Sequence, residues 1–322
     1  MKRIVRIATV ACLASALVTG VQAQTWPDRP VKMLVLSGAG GSPDVATRAI
    51  SQELSQTLGR QFVVENKVGA GGIVGLSALK ASAPDGYTFA LAPASSIVIA
   101  PRLFKDVPFD TEKDFAPVAF IGKTPIVIAV KKDSPYKTFE DLKKASQQAK
   151  EPIPVGTTSI NSLPHLLGEL SARKAGAKIF TVPFSTGSQA VTALLGGDVQ
   201  ALIDGSPSFE GMVRSGELRL LASYADKRQF GKKELPTVAE NAPGLTATGW
   251  FGVFAPRDTP PQIVDKLRTA INSAMAKPEI EERLVSLNIF PERMTGADYS
   301  AFLAREQSFW AEALKDVGAK SQ

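Results

Sequence analysis

Hydrophobic positions along the chain switch between two periods. Short apolar runs that read as buried strands, "VKMLVLS", "QFVVENK", "DGYTFALAP" and "TPIVIAV", alternate with stretches whose apolar residues recur every three to four positions. The first such stretch carries Ala46, Ile50, Leu54 and Leu58 on one face and stops at Gly59; Pro43 should open this helix with Ser42 as its N-cap. A second helix is expected over residues 73–83. Thr138 and Asp141 form a capping box ahead of "FEDLKKASQQAK". Ser162 caps a further helix with Leu163, Leu166, Leu167 and Leu170 facing the core, ended by Gly176. Near the C-terminus Thr259 is expected to cap a helix that begins at Pro260 and lines up Ile263, Leu267, Ile271 and Met275. The last helix places Phe302, Phe309 and Trp310 on an apolar face. Strands alternating with amphipathic helices imply an α/β fold with mainly parallel sheets.

The pattern leaves one α/β block near residue 125 and returns to it near 250, with no Gly/Ser-rich linker at either point. Two short crossings predict a hinge between two lobes, with residues 24–124 and 250–322 in the first and 125–249 in the second.

Composition changes the picture mainly at the N-terminus. Residues 1–23, "MKRIVRIATVACLASALVTGVQA", have a basic start, an apolar run and small residues before Gln24, the layout of a secretory signal peptide. The apolar run is too short to span a membrane comfortably, and a polar segment with Trp26-Pro27 follows it. Loss of Lys2, Arg3 and Arg6 lowers the formal charge from +6 to about +3, and no basic stripe interleaved with aromatics remains, so nucleic acid is not an expected partner. Cys12 is the sole cysteine and lies within this leader; a lipid anchor there is the alternative to cleavage after Ala23. The mature chain then has no thiol nucleophile, disulfide or cysteine-ligated metal.

Candidate chemistry centres on strand-to-helix turns. "LVLSGAGGSPD" lacks the third glycine of a dinucleotide fingerprint, since Pro43 stands there, and Gly122-Lys123-Thr124 lacks the first glycine of a P-loop. A glycine turn at a helix start still offers backbone N–H groups, here those near Gly40 and Gly41, and the positive end of a helix dipole to an anion. The other reading is that these glycines only pack strand against helix. Similar turns recur as "APASS", "GTTSINS" and "STGSQ", so each lobe contributes a pair at the carboxyl ends of its strands, where open α/β sheets bind ligands. They carry hydroxyls and amides but no lysine or arginine, which suits a small carboxylate held by neutral donors and water. With His165 as the single histidine no histidine metal cluster can be assembled, and a triad using it as base lacks a nucleophile-elbow G-x-S-x-G. His165 follows the cap Ser162 and either steadies the loop or touches ligand. Asp204 either accepts from a ligand amine or hydroxyl or caps the turn at Gly205. Asp44, near a helix start, reads more naturally as satisfying the dipole than as binding an acid. No cofactor is expected.

In this order, "WPDRPVKMLV", "GAGGSPDVATR", "VVENKVGAGGIVG", "APDGYTFAL", "DFAPVAFIG", "HLLGEL", "VPFSTGSQA", "LLGGDVQALID", "GELRLLA", "LPTVAE" and "GWFGVFAP" cover nearly all of residues 26–320. The sequence resembles the periplasmic solute-binding proteins of tripartite tricarboxylate transporters, the Bug family. The resemblance implies a two-lobed, Venus-flytrap fold of the second periplasmic-binding-protein type, a di- or tricarboxylate or related acid as ligand, and delivery to membrane permease subunits by a monomeric periplasmic protein. By position, it assigns ligand contact to Gly40, Gly41, Ser42 and Asp44, and to Ala94, Ser95 and Ser96. In the second lobe it assigns Thr157, Thr158, Ser159, Asn161 and His165, then Phe184, Ser185, Thr186, Gly187, Ser188 and Gln189, with Asp204 behind. Where the family commonly carries a tyrosine and a basic residue, this chain has Phe184, Ser185 and Thr186 before Gly187. A sensor that docks on a receptor needs the same cleft, and an exported hydrolase or isomerase is the alternative from another class.

Overall fold

The computed structural model describes residues 26–317 apart from 105, 159, 161, 207, 208 and 229–233; the expected signal peptide, with Cys12, lies outside the described residues, as do Ser159 and Asn161. Ten strands form one continuous curled sheet in the order β2-β1-β3-β9-β4-β7-β5-β6, with β8 and β10 also pairing with β4. The strands are β1 (Val31–Val35), β2 (Phe62–Asn66), β3 (Thr88–Pro93), β4 (Phe115–Lys131), β5 (Ile153–Thr158), β6 (Ile179–Phe184), β7 (Ala201–Gly205), β8 (Leu218–Ser223), β9 (Thr248–Pro256) and β10 (Phe290–Pro291). The principal helices are α1 (Ser42–Leu58), α2 (Ile73–Lys80), α3 (Phe139–Gln148), α4 (Leu163–Lys174), α5 (Gly187–Gly196), α6 (Pro261–Met275), α7 (Pro278–Ser286) and α8 (Gly296–Val317).

The sheet divides into two lobes, as expected, and β4 explains its geometry. Phe115 to Pro125 pair antiparallel with β9, while Ile126 to Lys131 pair antiparallel with β7 and β8. In the first half of the sheet β1, β2 and β3 run parallel to one another, and β9 lies antiparallel between β3 and β4. In the second half β5 is parallel to both β6 and β7. A strand that runs with β3 but against β7 points the carboxyl ends of the two parallel sets at each other. The antiparallel pairs therefore gather at the centre, around β4 and β9, and the parallel ones lie outside. The return passage is held by backbone bonds from Tyr224 N–H to Ile126 C=O at 2.9 Å and from Ala247 N–H to Tyr224 C=O at 2.8 Å.

Burial follows the sequence periodicity. Ala46, Ile50 and Leu54 of α1 are buried, as are Leu163, Leu166, Leu167 and Leu170 of α4, and the Thr138–Asp141 capping box opens α3. Three helix boundaries and one face differ from expectation. Gly41, extended at φ −71° and ψ 161°, holds the N-cap position of α1, so Ser42 is its first helical residue and provides no cap. Thr259 does not cap α6: Pro260 holds that position, and the buried Thr259 hydroxyl has no hydrogen-bond partner among the described residues. α2 stops at Lys80: Ala81 N–H still makes the helical bond to Ser77 C=O, but Ser82 N–H bonds Leu79 C=O, three residues back, and tightens the last turn. Of the α8 aromatics Trp310 is buried, but Phe309 stands half exposed against its edge.

Candidate binding cleft

The facing carboxyl ends enclose a cleft of about 410 Å³. Ser37, Ser42, Pro43, Ala94 and Ser95 line it from the first lobe, and Thr158, Ser162, Leu163, Pro164, Gly187, Asp204 and Gly205 from the second. Thr124 and Ile126 of β4, with Gly249, Trp250 and Phe251 of β9, form the hinge side. Among the described residues no lysine, arginine or histidine lines it, and Asp204 is its one formally charged side chain. No cluster of His, Cys, Asp and Glu able to hold a metal occurs among the described residues.

The expected glycine seat is partly occupied by the protein itself. Gly40, at φ +81°, donates its N–H to Asp44 Oδ2 at 2.9 Å, and Gly41 N–H points to Gly38 C=O at 3.4 Å. The Asp44 carboxylate is 2% exposed and also accepts from Arg48 Nε at 3.0 Å and Asn66 Nδ2 at 2.9 Å. The Arg48 guanidinium holds its carboxyl down to about 2, against the opposing effect of burial, with Gly40 N–H and Asn66 adding to the guanidinium. Asp44 is thus an internal brace for the loop, not a cleft residue, because its oxygens are committed to these three groups. The positive end of α1 reaches the cleft through Ser42, one residue later than Gly40 and Gly41.

Other expected positions divide in the same way. Ser95 opens a π-helical turn, Ser95–Ile99, and lines the cleft beside Ala94, whereas Ser96 is buried and donates its hydroxyl to Gly71 C=O at 2.6 Å. Thr158 lines the cleft and donates to Asp204 Oδ1 at 2.9 Å; the same oxygen accepts the Gly205 N–H at 2.7 Å. Strand alternation turns the neighbouring Thr157 into the core, where it is fully buried. His165 N–H meets the cap hydroxyl of Ser162 at 3.4 Å; its ring lies outside the cleft lining, and burial lowers its imidazole below the usual range against the pull of Glu169. Gly187 lines the cleft at the start of α5, with Thr186 capping that helix through Gln189 N–H at 3.2 Å. Ser185, Thr186, Ser188 and Gln189 are exposed beyond the cleft lining, and Phe184 packs partly buried beneath it.

The hinge side went unread in the sequence. Thr124, 7% exposed, and Ser37 both line the cleft, and neither hydroxyl has a hydrogen-bond partner among the described residues. Trp250 and Phe251 line the same side. The available signal was "GWFGVFAP" itself, which resumes a strand where the chain re-enters the first lobe.

A model of the tripartite tricarboxylate transporter family receptors, TctC, matches residues 46–319. The protein BugT of Bordetella pertussis is 32% identical over 322 residues, covering 99% of each chain. Among solved structures, Rpa4515 of R. palustris with adipate superposes with a TM-score of 0.83 at 30% identity, covering 91% of this chain and 98% of that one. MatC of Rhodopseudomonas palustris with bound malate gives 0.79 at 28%, covering 89% and 99%. The chain therefore belongs to the TctC family, the receptors of tripartite tricarboxylate transporters and a family of periplasmic binding proteins.

Proposed function

We propose that this protein is an extracytoplasmic receptor that captures a small organic carboxylate between its lobes and hands it to the permease subunits of a tripartite tricarboxylate transporter. In this reading residues 24–124 and 250–322 form one lobe, residues 125–249 form the other, and the leader of residues 1–23 directs export. The observation that carries it is the cleft at the facing carboxyl ends of both parallel strand sets, lined among the described residues by neutral hydroxyls, helix starts and Asp204, and by no lysine, arginine or histidine. Helix N-termini and backbone N–H groups attract a carboxylate without forming a tight ion pair, which suits a ligand that must later be released. A ligand touching both walls favours the state in which the walls approach, by its differential affinity for that state. The adipate and malate in two related structures support a carboxylate as the ligand class.

The test is a thermal-shift screen of the purified chain against mono-, di- and tricarboxylates, since a ligand specific for the folded state raises the melting temperature by mass action. Stabilisation by carboxylates, absent with the matching alcohols, is the expected result. Turnover of a stabilising acid would instead place the protein among exported hydrolases or isomerases.

A further inference from the structure

A second cavity, of about 350 Å³, shares no lining residue with the cleft. The π-helical turn that starts at Ser95 runs on into a helical turn, Ala100–Leu103, which contributes Arg102 to this cavity. A further turn of helix, Thr111–Asp114, contributes Thr111 and Glu112 behind its cap Asp110, and α8 contributes Gln307. The frame is fixed by the protein's own bonds. Thr111 donates its hydroxyl to Ile97 C=O, and Arg102 donates Nη1 to Val98 C=O, both at 2.6 Å. Asp110 accepts from Glu112 N–H at 3.0 Å and Lys113 N–H at 3.1 Å, and pairs with Lys113 Nζ at 3.2 Å.

What these bonds leave over is unlike the cleft. Arg102 Nε and Nη2, the Glu112 carboxylate and the Gln307 side-chain amide have no hydrogen-bond or ion-pair partner among the described residues, and all three residues line the cavity. Gln307 is 6% exposed, and a buried amide without partners costs free energy until something supplies them. Desolvation lowers the Arg102 guanidinium below the usual arginine range and Glu112 opposes it, yet no ion pair joins the two charges. A small anion alone would meet Arg102 but also Asp110 and Glu112; a small cation alone would meet the reverse. A molecule carrying both signs suits both. The Nε and Nη2 edge of Arg102 offers a carboxylate two parallel N–H donors, Glu112 accepts from an ammonium, and Gln307 offers one donor group and one acceptor. The volume lies at the small end of ligand pockets.

We propose that this cavity is a second ligand site, taking a zwitterion of amino-acid size: its carboxylate sits on Arg102 Nε and Nη2, its ammonium on Glu112, and the Gln307 amide completes the hydrogen bonds. The site stands apart from carboxylate capture at the cleft, and either can hold without the other.

Calorimetry with glycine, β-alanine and 4-aminobutyrate tests it, each beside its matched acid (acetate, propionate, butyrate) and amine (methylamine, ethylamine, propylamine). At least one zwitterion should bind the wild type, and Arg102→Gln and Glu112→Gln should each weaken it at least about tenfold. Arg102→Gln keeps an amide donor for Val98 C=O, and both residues are exposed, so both variants should fold. Gln307→Met should weaken the same zwitterion by a smaller factor; if that buried variant does not fold, the two charge variants decide. Silence of all three zwitterions in the wild type overturns the site. So does zwitterion binding that survives intact in either charge variant, since a molecule held in the cleft would not sense them. An acid or amine that the charge variants weaken as much as its zwitterion overturns the requirement for both signs, and with it the proposal.

Discussion

The indole N–H of Trp250 donates to Glu306 Oε2 at 2.8 Å, joining the start of β9 to α8 directly behind the cleft. Trp250 is 1% exposed, and its ring packs edge-on against Tyr299 and Phe302 while another part of it lines the cleft. Burial pushes the Glu306 carboxyl above the usual glutamate range. The Trp250 and Trp310 donors, with Lys123 and Arg305 farther out, only partly offset this. The wall of the cleft is therefore braced by an acid whose ionised form burial penalises.

A group whose folded pKa lies above its unfolded value contributes stability that is complete below the unfolded value and is lost as the pH rises through the folded one. Glu306→Gln, which keeps an acceptor for Trp250, should remove that dependence. The melting-temperature difference, variant minus wild type, should grow from about pH 4 to about pH 8. A difference that stays flat over this range would mean that ionising Glu306 carries no penalty.

Asp44 has the opposite sign. Its carboxyl is held down to about 2, so its contribution is present at neutral pH and is lost as the pH falls through that range. Asp44→Asn should destabilise the protein by about 1–2 kcal/mol at pH 7, a modest figure because Arg48 is half exposed. The loss should shrink in acid denaturation series approaching about pH 3. Because Asp44 lies behind the cleft lining, its effect on ligand should follow from loosening of the Gly40 loop, seen as faster amide exchange there.

Gly72 sits at φ +98°, and a Cβ there would lie 2.7 Å from Ser96 Cβ and 3.0 Å from Leu36 Cδ2. Gly72→Ala should cost about 1–3 kcal/mol and weaken ligand binding, since Ser96 anchors the turn that carries Ala94 and Ser95 into the cleft. Adding Ser96→Ala should return part of the stability by relieving the clash with the hydroxyl. A double-mutant cycle with purely additive losses would show that the two residues do not compete for that space.

Sequence periodicity predicted the helices well where one face is buried, as Leu163 to Leu170 show, because burial alone selects that spacing. It also located the strand-to-helix turns at the cleft, since glycine, serine and threonine mark them whatever the tertiary fold. It could not assign direction to individual side chains. Thr157 and Thr158 are chemically alike, yet strand alternation buries one and puts the other on Asp204. Gly40 looked like a free donor until its N–H met Asp44, a pairing set by how the loop folds back rather than by composition. Thr124 was legible only as part of a failed P-loop beside the crossing near residue 125; its place in the cleft lining comes from β4 passing between the lobes, a long-range relationship with no local motif.

Closure is the property that most sharply separates a two-lobed receptor from a fixed pocket. Ser95 and Thr158 line the cleft from opposite lobes, and the chain passes between them along β4 near Pro125 and Ile126. If ligand bridges the two walls, the acid giving the largest thermal shift should reduce the radius of gyration seen by small-angle scattering. Ser95→Ala with Thr158→Ala should weaken that acid by about 1–3 kcal/mol together, because neutral hydrogen bonds are lost and water partly replaces them. At a concentration that saturates the wild type, the double variant should show less compaction, while the unliganded radii of the two proteins agree. A ligand that shifts no equilibrium between open and closed states has equal affinity for both. A wild-type radius unchanged at saturation would therefore mean that the acid sits against one wall only, and the bridging role of Thr158 and Ser95 would fall with it.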